Sequence, residues 1–387
     1  MWLFAATWAL LNQRRWLVGV FAGLGLLTRP DAGIWILLVG LVQLIESLTA
    51  RDENGVRTPS VPWQTWLAGA LVIAPWVIIS WVYYGSPIPN TIGAKSDAYV
   101  IPDYDALIGI VQRYATPFMD FDTFGSLGAM VGAVVYPLLS LIALSYIRTR
   151  EPRLYALLLY PWLYAAIFAV ANPLMFRWYY APPLPAWMVG VVLGAWAIVS
   201  GIANAEKAPG RARIVQRVAA GGLALLWGGT SLNHWVITPD HGPQRPAPEM
   251  AWHVIELNYR TVGNMLREEY GVTSDTPVAA ADIGAVGYYS QANIIDTVGL
   301  ITPAFADYYP FDEALLAEGQ NYAVPPGLIL STQPEYFVTM EGFVREGLLT
   351  MPDFTDNYTL IEEIPMDVYG SGMQVYARND VLVASSS

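Results

Sequence analysis

The sequence contains no cysteine, only three histidines and only 13% charged residues. The lack of cysteine excludes a disulfide framework and thiol chemistry. His234, His241 and His253 cluster near residue 240 without the spacing of metal ligands, so we interpret them as structural or exposed. No Gly-Lys-Ser/Thr phosphate loop and no Gly-x-Ser-x-Gly motif is present. These absences argue against the common nucleotide-hydrolysing and serine-hydrolase classes.

Apolar residues make up 55% of the chain, which includes 15 Trp and 23 Tyr. This composition is typical of an integral membrane protein. Seven apolar stretches predict membrane segments: residues 16–27, 32–48, 63–84, 125–147, 154–171, 184–202 and 218–236. The stretch 1–11 reaches only about 16 Å as a helix, against roughly 30 Å of hydrocarbon. We therefore expect it to be the end of a longer helix and the chain to be truncated at its N-terminus.

The distribution of basic residues predicts the orientation. The loops at 12–15, 49–62, 148–153 and 203–217 hold eleven Lys and Arg, whereas those at 28–31, 85–125 and 172–183 hold four. By the positive-inside rule the first set is cytoplasmic. The loop 85–125 and everything after residue 237 are then extracytoplasmic, and we expect the cytoplasmic membrane of a bacterium as the location.

The composition changes after residue 237. Residues 1–237 carry 15 Lys and Arg against 11 Asp and Glu, whereas 238–387 carry 5 against 21. Prolines at 239, 243, 246 and 248 predict a linker over 238–248. Residues 249–387 are expected to form an α/β domain, with helices at 249–270 and 312–318 and short strands at 278–281, 294–295, 336–339, 358–361 and 374–377. We thus predict a polytopic α-helical membrane protein with a C-terminal extracytoplasmic α/β domain, and no nucleic-acid partner because the tail is acidic.

Three extracytoplasmic cations are candidates for binding a phosphate, because each lies beside a proline-bearing loop near the membrane. They are Arg29, Lys95 and Arg177. Snorkelling at the interface is the alternative. Asp31 is a candidate auxiliary carboxylate or a helix cap, Asn90 would position the loop, and Tyr179 would pack substrate or belong to an interfacial aromatic belt.

Carboxylates suggest two further sites. Asp103 and Asp105, like Asp120 and Asp122, are two residues apart in the long loop and could share a divalent cation, although solvated loop acids commonly show this spacing. Asp282 and Asp296 follow predicted strands, where open α/β sheets bind ligands, so both are candidate substrate-binding residues. Asp282 could instead cap a helix. The stretch 282–287 is an incomplete dinucleotide fingerprint, which makes nicotinamide binding improbable.

Three motifs together resemble bacterial polytopic glycosyltransferases of the GT-C fold, especially the arabinofuranosyltransferase-like branch. They are Leu27-Thr28-Arg29-Pro30-Asp31, Tyr84-Gly85-Ser86-Pro87-Ile88-Pro89-Asn90-Thr91 with Lys95, and residues 282–289 continuing to 295–300. The resemblance implies inverting transfer of a sugar from a polyprenyl-phosphate donor to a glycan or protein acceptor outside the membrane. It also implies a catalytic aspartate in a first outer loop, which this chain lacks upstream of Asn12.

Two other functions stay open on sequence grounds. A transporter or lipid flippase should show paired broken helices in two related halves. A non-enzymatic membrane protein could use the acidic domain to bind a polymer of the cell envelope. The breaks fall on one side only, which favours the transferase.

Overall fold

The computed structural model describes residues 1–51, 54–89, 91–118, 121–205, 209–229, 232, 251–366 and 369–385. The chain divides into two compact units. The first takes the described residues of 1–88 and 103–236, and the second takes 89–102 and the described residues of 237–387. Asn90, Asp120 and the proline-rich linker 238–248 lie outside the described residues.

The first unit is helical. Its helices are α1 (Trp2–Leu11), α2 (Arg15–Thr28), α3 (Ala32–Thr49), α4 (Trp63–Tyr84), α6 (Asp105–Ala115), α7 (Phe121–Ile147), α8 (Tyr155–Leu158), α9 (Tyr160–Ala171), α10 (Arg177–Tyr180), α11 (Leu184–Ala205) and α12 (Pro209–Leu223). The label α5 belongs to Thr91–Asp97 of the second unit. A 3₁₀ turn at Pro152–Leu154 precedes α8, and a π-helical turn at Ala224–Gly228 follows α12.

Five stretches are long and apolar enough to cross a membrane: Ala32–Thr49, Trp63–Tyr84, Gly125–Ile147, Pro152–Ala171 and Leu184–Ile202. They coincide with five of the seven predicted segments. Helix α2 has 14 residues and reaches only about 21 Å, so it is short for a full span. The predicted segment 218–236 is only partly described, and its described part continues the basic helix α12. The structure supports the prediction of a membrane protein to this extent, with five such stretches among the residues it describes.

Small residues allow α2 and α4 to pack closely. A Cβ atom placed on Gly19 would lie 2.2 Å from the Thr65 carbonyl oxygen, and one on Gly23 would lie 2.8 Å from Val72 Cβ. Glycines four residues apart on one helix face let two backbones approach, which is how helices associate in lipid. The apolar core of this unit includes the fully buried side chains of Trp35, Tyr160 and Tyr164.

The second unit contains a five-stranded mixed sheet with strand order β2-β1-β3-β5-β4. The strands are β1 (Pro277–Ala280), β2 (Asn293–Asp296), β3 (Tyr336–Met340), β4 (Tyr358–Pro365) and β5 (Gly372–Arg378). Strands β1, β2 and β3 are parallel, and β5 runs antiparallel to β3 and β4. Its helices are α5 (Thr91–Asp97), α13 (Ala251–Glu268), α14 (Ile283–Ser290), α15 (Pro326–Thr332), α16 (Pro352–Thr355) and α17 (Asn379–Ser385).

All five predicted strands are present, with longer bounds for β4 and β5. The helix expected at 312–318 is instead a short 3₁₀ turn, Glu313–Leu315. Its N-terminal Asp312 accepts a hydrogen bond from the Ala314 amide, which tightens the turn. Helix α15 was not predicted from the sequence, because its seven residues are too few to show a helical period.

Residues 91–102, hereafter the strap, belong to the second unit although they lie in the loop predicted as 85–125. Ala98 is fully buried in the core around the sheet, and the Val100 amide donates to the Asn321 carbonyl at 2.9 Å. The rings of Tyr99 and Tyr322 lie 5.7 Å apart. The strap therefore completes this domain from a distant part of the sequence, and the chain passes between the units three times.

Candidate functional site

The break between α2 and α3 carries a cluster of bonded polar side chains. Helix α2 ends at Thr28, and Arg29 has extended backbone, with φ −152° and ψ 127°. Asp31 occupies the N-cap position of α3, but its carboxylate does not bond to the helix amides. It binds Arg29 instead, so the alternative in which Asp31 caps the helix is wrong.

Arg29 and Asp31 form a two-pronged ion pair. Arg29 Nε donates to Asp31 Oδ1 at 3.0 Å, and Nη2 donates to Oδ2 at 2.9 Å. The side chains are 31% and 11% exposed, so the pair is screened from water without being sealed off. Bidentate pairing of this kind fixes the orientation of the guanidinium plane.

Two further contacts join this pair to the loop 172–183. Arg29 Nη1 donates to the Trp178 carbonyl at 2.9 Å, and its guanidinium lies 5.4 Å from the centre of the Tyr179 ring. The Tyr164 hydroxyl is 3.2 Å from Asp31 Oδ2 and 2.6 Å from the Tyr179 carbonyl. Both Asp31 oxygens are thus occupied. The geometry favours a role for Asp31 in positioning Arg29 over the auxiliary catalytic role predicted from the sequence.

A cavity of about 320 Å³ opens beside the pair. Arg29, Asp31 and Thr28 lie at its polar end. Its other walls are mainly apolar and include Trp2, Phe4, Trp35, Tyr160, Pro182 and Pro185. The volume is at the lower end of the range for small-molecule sites, and the mix of apolar walls with a few polar groups is typical of them.

Trp35 adds an unsatisfied donor to this cavity wall. The side chain is only 2% exposed, and its Nε1 has no hydrogen-bond partner among the described residues. Buried indole N–H groups usually have a partner, and leaving one without costs free energy. The indole nitrogen is itself buried, so it is a cost within the wall of the cavity and not a contact open to a bound molecule.

The other predicted phosphate ligands belong to the second unit or have side chains outside the described residues. Lys95 is half-buried in α5, within the second unit, whereas Arg29 belongs to the helical unit. Arg177 begins α10, but its side chain is outside the described residues, as is all of Asn90. A single phosphate site shared by Arg29, Lys95 and Arg177 therefore stays a prediction.

Asp282 and Asp296 do lie at the same edge of the sheet. Strands β1 and β2 pair in parallel with Ala280 opposite Asp296, and Asp282 follows two residues after Ala280. The Asp296 carboxylate is fully buried and accepts the amides of Val298 at 3.0 Å and Ile301 at 2.9 Å. Burial raises its pKa, while these backbone donors act in the opposite direction. Asp296 thus holds the loop after β2 and has no free face for substrate.

Asp282 differs from Asp296 because part of its side chain is exposed to solvent. Protein atoms nevertheless pack closely around its carboxyl group. Burial raises the pKa of its carboxyl, and the negative charges of Glu256 and Asp296 act in the same direction. The Tyr259 hydroxyl, 3.3 Å away, opposes the shift. Water at the exposed edge limits the size of the rise. Asp282 is therefore the carboxylate at this edge that a ligand could reach.

The remaining candidate positions form no site in the described part of the chain. A cavity between α5 and the loop after β2 measures about 110 Å³, too small for a sugar. Asp103 is exposed and Asp105 begins α6 half-buried. No group of three or more His, Asp or Glu side chains close enough to hold a metal occurs among the residues described. The predicted cation at Asp103 and Asp105 gains no support.

Sequence reasoning missed the aromatic residues that line the Arg29 cavity or bond to Asp31. Trp35 lies four residues after Asp31, one helical turn along the same face of α3, and this spacing could have identified it. Tyr160 and Tyr164 share a spacing of four on α9, but nothing in the sequence connects them to residue 31.

Comparison with known proteins gives one match. A family model described as "Domain of unknown function (DUF8728)" matches residues 250–383, about a third of the chain. This range covers the sheet domain without the strap. No curated protein and no solved structure matches the chain.

Proposed function

We propose that this protein transfers a sugar from a polyprenyl-phosphate donor to a glycan or protein acceptor of the cell envelope, outside the cytoplasmic membrane. The observation that carries the proposal is the Arg29 cavity. It offers a guanidinium held in a fixed orientation at one end and apolar walls beyond it. A prenyl phosphate has the complementary form, an anionic head on an apolar chain.

The chemistry of an inverting transfer makes two demands. A carboxylate must take the proton of the acceptor hydroxyl, and a cation must stabilise the departing phosphate. Arg29 supplies hydrogen-bond donors to the phosphate in the proposed site, because its bonds to Asp31 and Trp178 use three of the five N–H groups of the guanidinium. Asp31 and Tyr164 fix its position. Asp31 is the only carboxylate among the described residues that line the cavity, and it is paired with Arg29, so the general base is assigned to none of them.

Binding tests the donor site without depending on turnover. Undecaprenyl phosphate should bind the purified full chain more tightly than undecaprenol, which has the same chain without the phosphate. Charge-assisted hydrogen bonds contribute about 1.5–3 kcal/mol, so the difference should be roughly 10- to 150-fold. Arg29→Gln should remove most of this difference, and Arg29→Lys should restore part of it. Arg14→Gln, an exposed arginine outside the cavity, is the matched control.

Turnover then decides between transfer and translocation. In proteoliposomes loaded with a polyprenyl-phosphate-linked radiolabelled sugar, label should reach an acceptor glycan and should fail to do so with Arg29→Gln. Lys95→Ala tests the predicted second cation in the same assay. Movement of the lipid-linked sugar across the membrane without transfer would instead assign the protein as a flippase. Equal binding of undecaprenyl phosphate and undecaprenol would refute the donor site itself.

A further inference from the structure

A second and larger cavity lies at the opposite end of α3. Its volume is about 720 Å³. One wall is the C-terminal half of α3, from Leu38 to Thr49, and the other runs from Arg150 to Leu159. It shares no lining residue with the Arg29 cavity, so it is a separate site.

The cavity walls are apolar along most of their length. Leu38, Leu41, Val42 and Ile45 line it from α3, and Leu159 lines it from the facing segment. From Leu38 to Glu46 the helix rises about 12 Å, close to the roughly 15 Å depth of one leaflet's hydrocarbon. A chain that fills this wall would reach from the polar rim almost to the bilayer centre. Nucleotides and free sugars have no part that matches such a wall.

The rim carries charges of both signs. Arg153 donates to Glu46 through both Nε, at 2.9 Å, and Nη2. Its Nη1 is 3.7 Å from Glu151. Arg153 is therefore already neutralised by carboxylates, and Glu46 and Glu151 remain 42% and 38% exposed, so both can be reached from the cavity mouth.

Arg150 is the second arginine of this rim, and it is not paired with any described carboxylate. Its guanidinium lies 4.0 Å from the centre of the Tyr146 ring, and Nη1 donates to the Tyr146 carbonyl at 3.2 Å. No described carboxylate lies within ion-pair distance of it. The rim thus presents an arginine that can donate hydrogen bonds to a phosphate, next to a carboxylate that can accept hydrogen bonds from an ammonium group.

We propose that this cavity binds a zwitterionic aminophospholipid of the bilayer. The phosphate contacts Arg150, the ammonium group contacts Glu151, and one acyl chain lies along Leu41 and Ile45. A purely anionic headgroup is disfavoured because Glu46 and Glu151 flank the phosphate position. Phosphatidylcholine is disfavoured because its quaternary ammonium cannot donate a hydrogen bond to Glu151.

The test measures retained lipid on the full chain. The protein is delipidated in detergent, incubated with equal amounts of dioleoyl phosphatidylethanolamine, phosphatidylglycerol and phosphatidylcholine, and examined by native mass spectrometry. Phosphatidylethanolamine should be retained in preference to the other two. Exposed ion pairs contribute about 0.2–1 kcal/mol, so Arg150→Gln and Glu151→Gln should each reduce this preference by up to about fivefold.

Two further variants make the result interpretable. Arg148→Gln removes an exposed charge from the same basic loop outside the cavity and should change nothing. Leu41→Trp fills the apolar wall and should reduce retention of all three lipids, with thermal unfolding in detergent as the check that it folds. Preference for phosphatidylglycerol, or no preference, overturns the proposal. So does a preference that survives both Arg150→Gln and Glu151→Gln.

Discussion

The role of Asp296 can be decided by replacing it with alanine. Asp296→Ala would remove the acceptor of two hydrogen bonds, from the Val298 and Ile301 amides, and leave both donors without a partner. Hydrogen bonds to charged groups contribute about 1.5–3 kcal/mol each, or roughly 3–6 kcal/mol for two. The raised pKa of Asp296 shows that burial of the charge costs stability, and the variant avoids that cost. We expect a net loss of about 2–4 kcal/mol in local stability.

Hydrogen exchange on the full chain in detergent measures this loss directly. Amides of residues 297–301 should exchange about 30- to 900-fold faster in Asp296→Ala, since each 1.36 kcal/mol corresponds to about a factor of ten. Asp275→Ala is the matched control, because Asp275 is an exposed acid of the same domain. Unchanged exchange at 297–301 would refute the loop-holding role. It would return Asp296 to the substrate-binding role predicted from the sequence.

Three other predictions concern the strap, the exposed carboxylate and the Arg29 cavity. Ala98→Gln should destabilise the second unit by about 1–3 kcal/mol through overpacking, seen as faster proteolysis there than in the wild type, whereas Ser274→Gln at an exposed position should not. Burial and two neighbouring carboxylates raise the pKa of Asp282, so the folded state binds this proton more tightly. The free energy of unfolding should therefore fall as the pH rises from the ordinary aspartate pKa of 3.8 through the raised pKa of Asp282. Asp282→Asn should flatten this part of the dependence of the unfolding temperature on pH. The chain has no cysteine, so a single introduced cysteine is the only thiol in each variant. Thr28→Cys at the cavity should react with a membrane-impermeant thiol reagent, whereas Leu37→Cys on the exposed apolar face of α3 should stay unlabelled.

Local patterns in the sequence predicted most of the helices and all the strands. Apolar runs of 18 residues or more, and short runs of β-branched and aromatic residues, report burial directly. The sequence predicted a short apolar helix over residues 16–27, and the 14 residues of α2 are likewise too few for a full span. The prediction was less accurate at α12, where a basic stretch expected as a loop is helical. Its alanines favour helix, and a charge pattern does not report backbone conformation.

The site was predicted in its residue types but only partly in its arrangement. Arg29 and Asp31 were identified from their place in a break between apolar helices, and they do line a cavity. The sequence could not show that they bind each other, because residues two apart in a bend can face the same way or opposite ways. Lys95 was assigned to the membrane domain because its loop lies between two membrane segments. Its membership of the sheet domain depends on contacts between residues 98–100 and residues more than 200 positions later, which no local pattern encodes.

The length of α3 gives a physical reason for both cavities. Asp31 and Glu46, each paired with an arginine, are separated by 15 residues, or about 22 Å of helix, and the hydrocarbon of a bilayer is roughly 30 Å thick. At least one of these ion pairs therefore lies below the membrane surface, and any tilt of the helix increases its depth. Charges at that depth are stable only where water, protein or a bound headgroup solvates them. Each pair lines a cavity, and the two cavities lie at opposite ends of the helix. Replacing either pair with apolar residues should leave no buried charge to be solvated at that end of α3. Water should then no longer enter the cavity there, and a polar headgroup should no longer bind below the membrane surface.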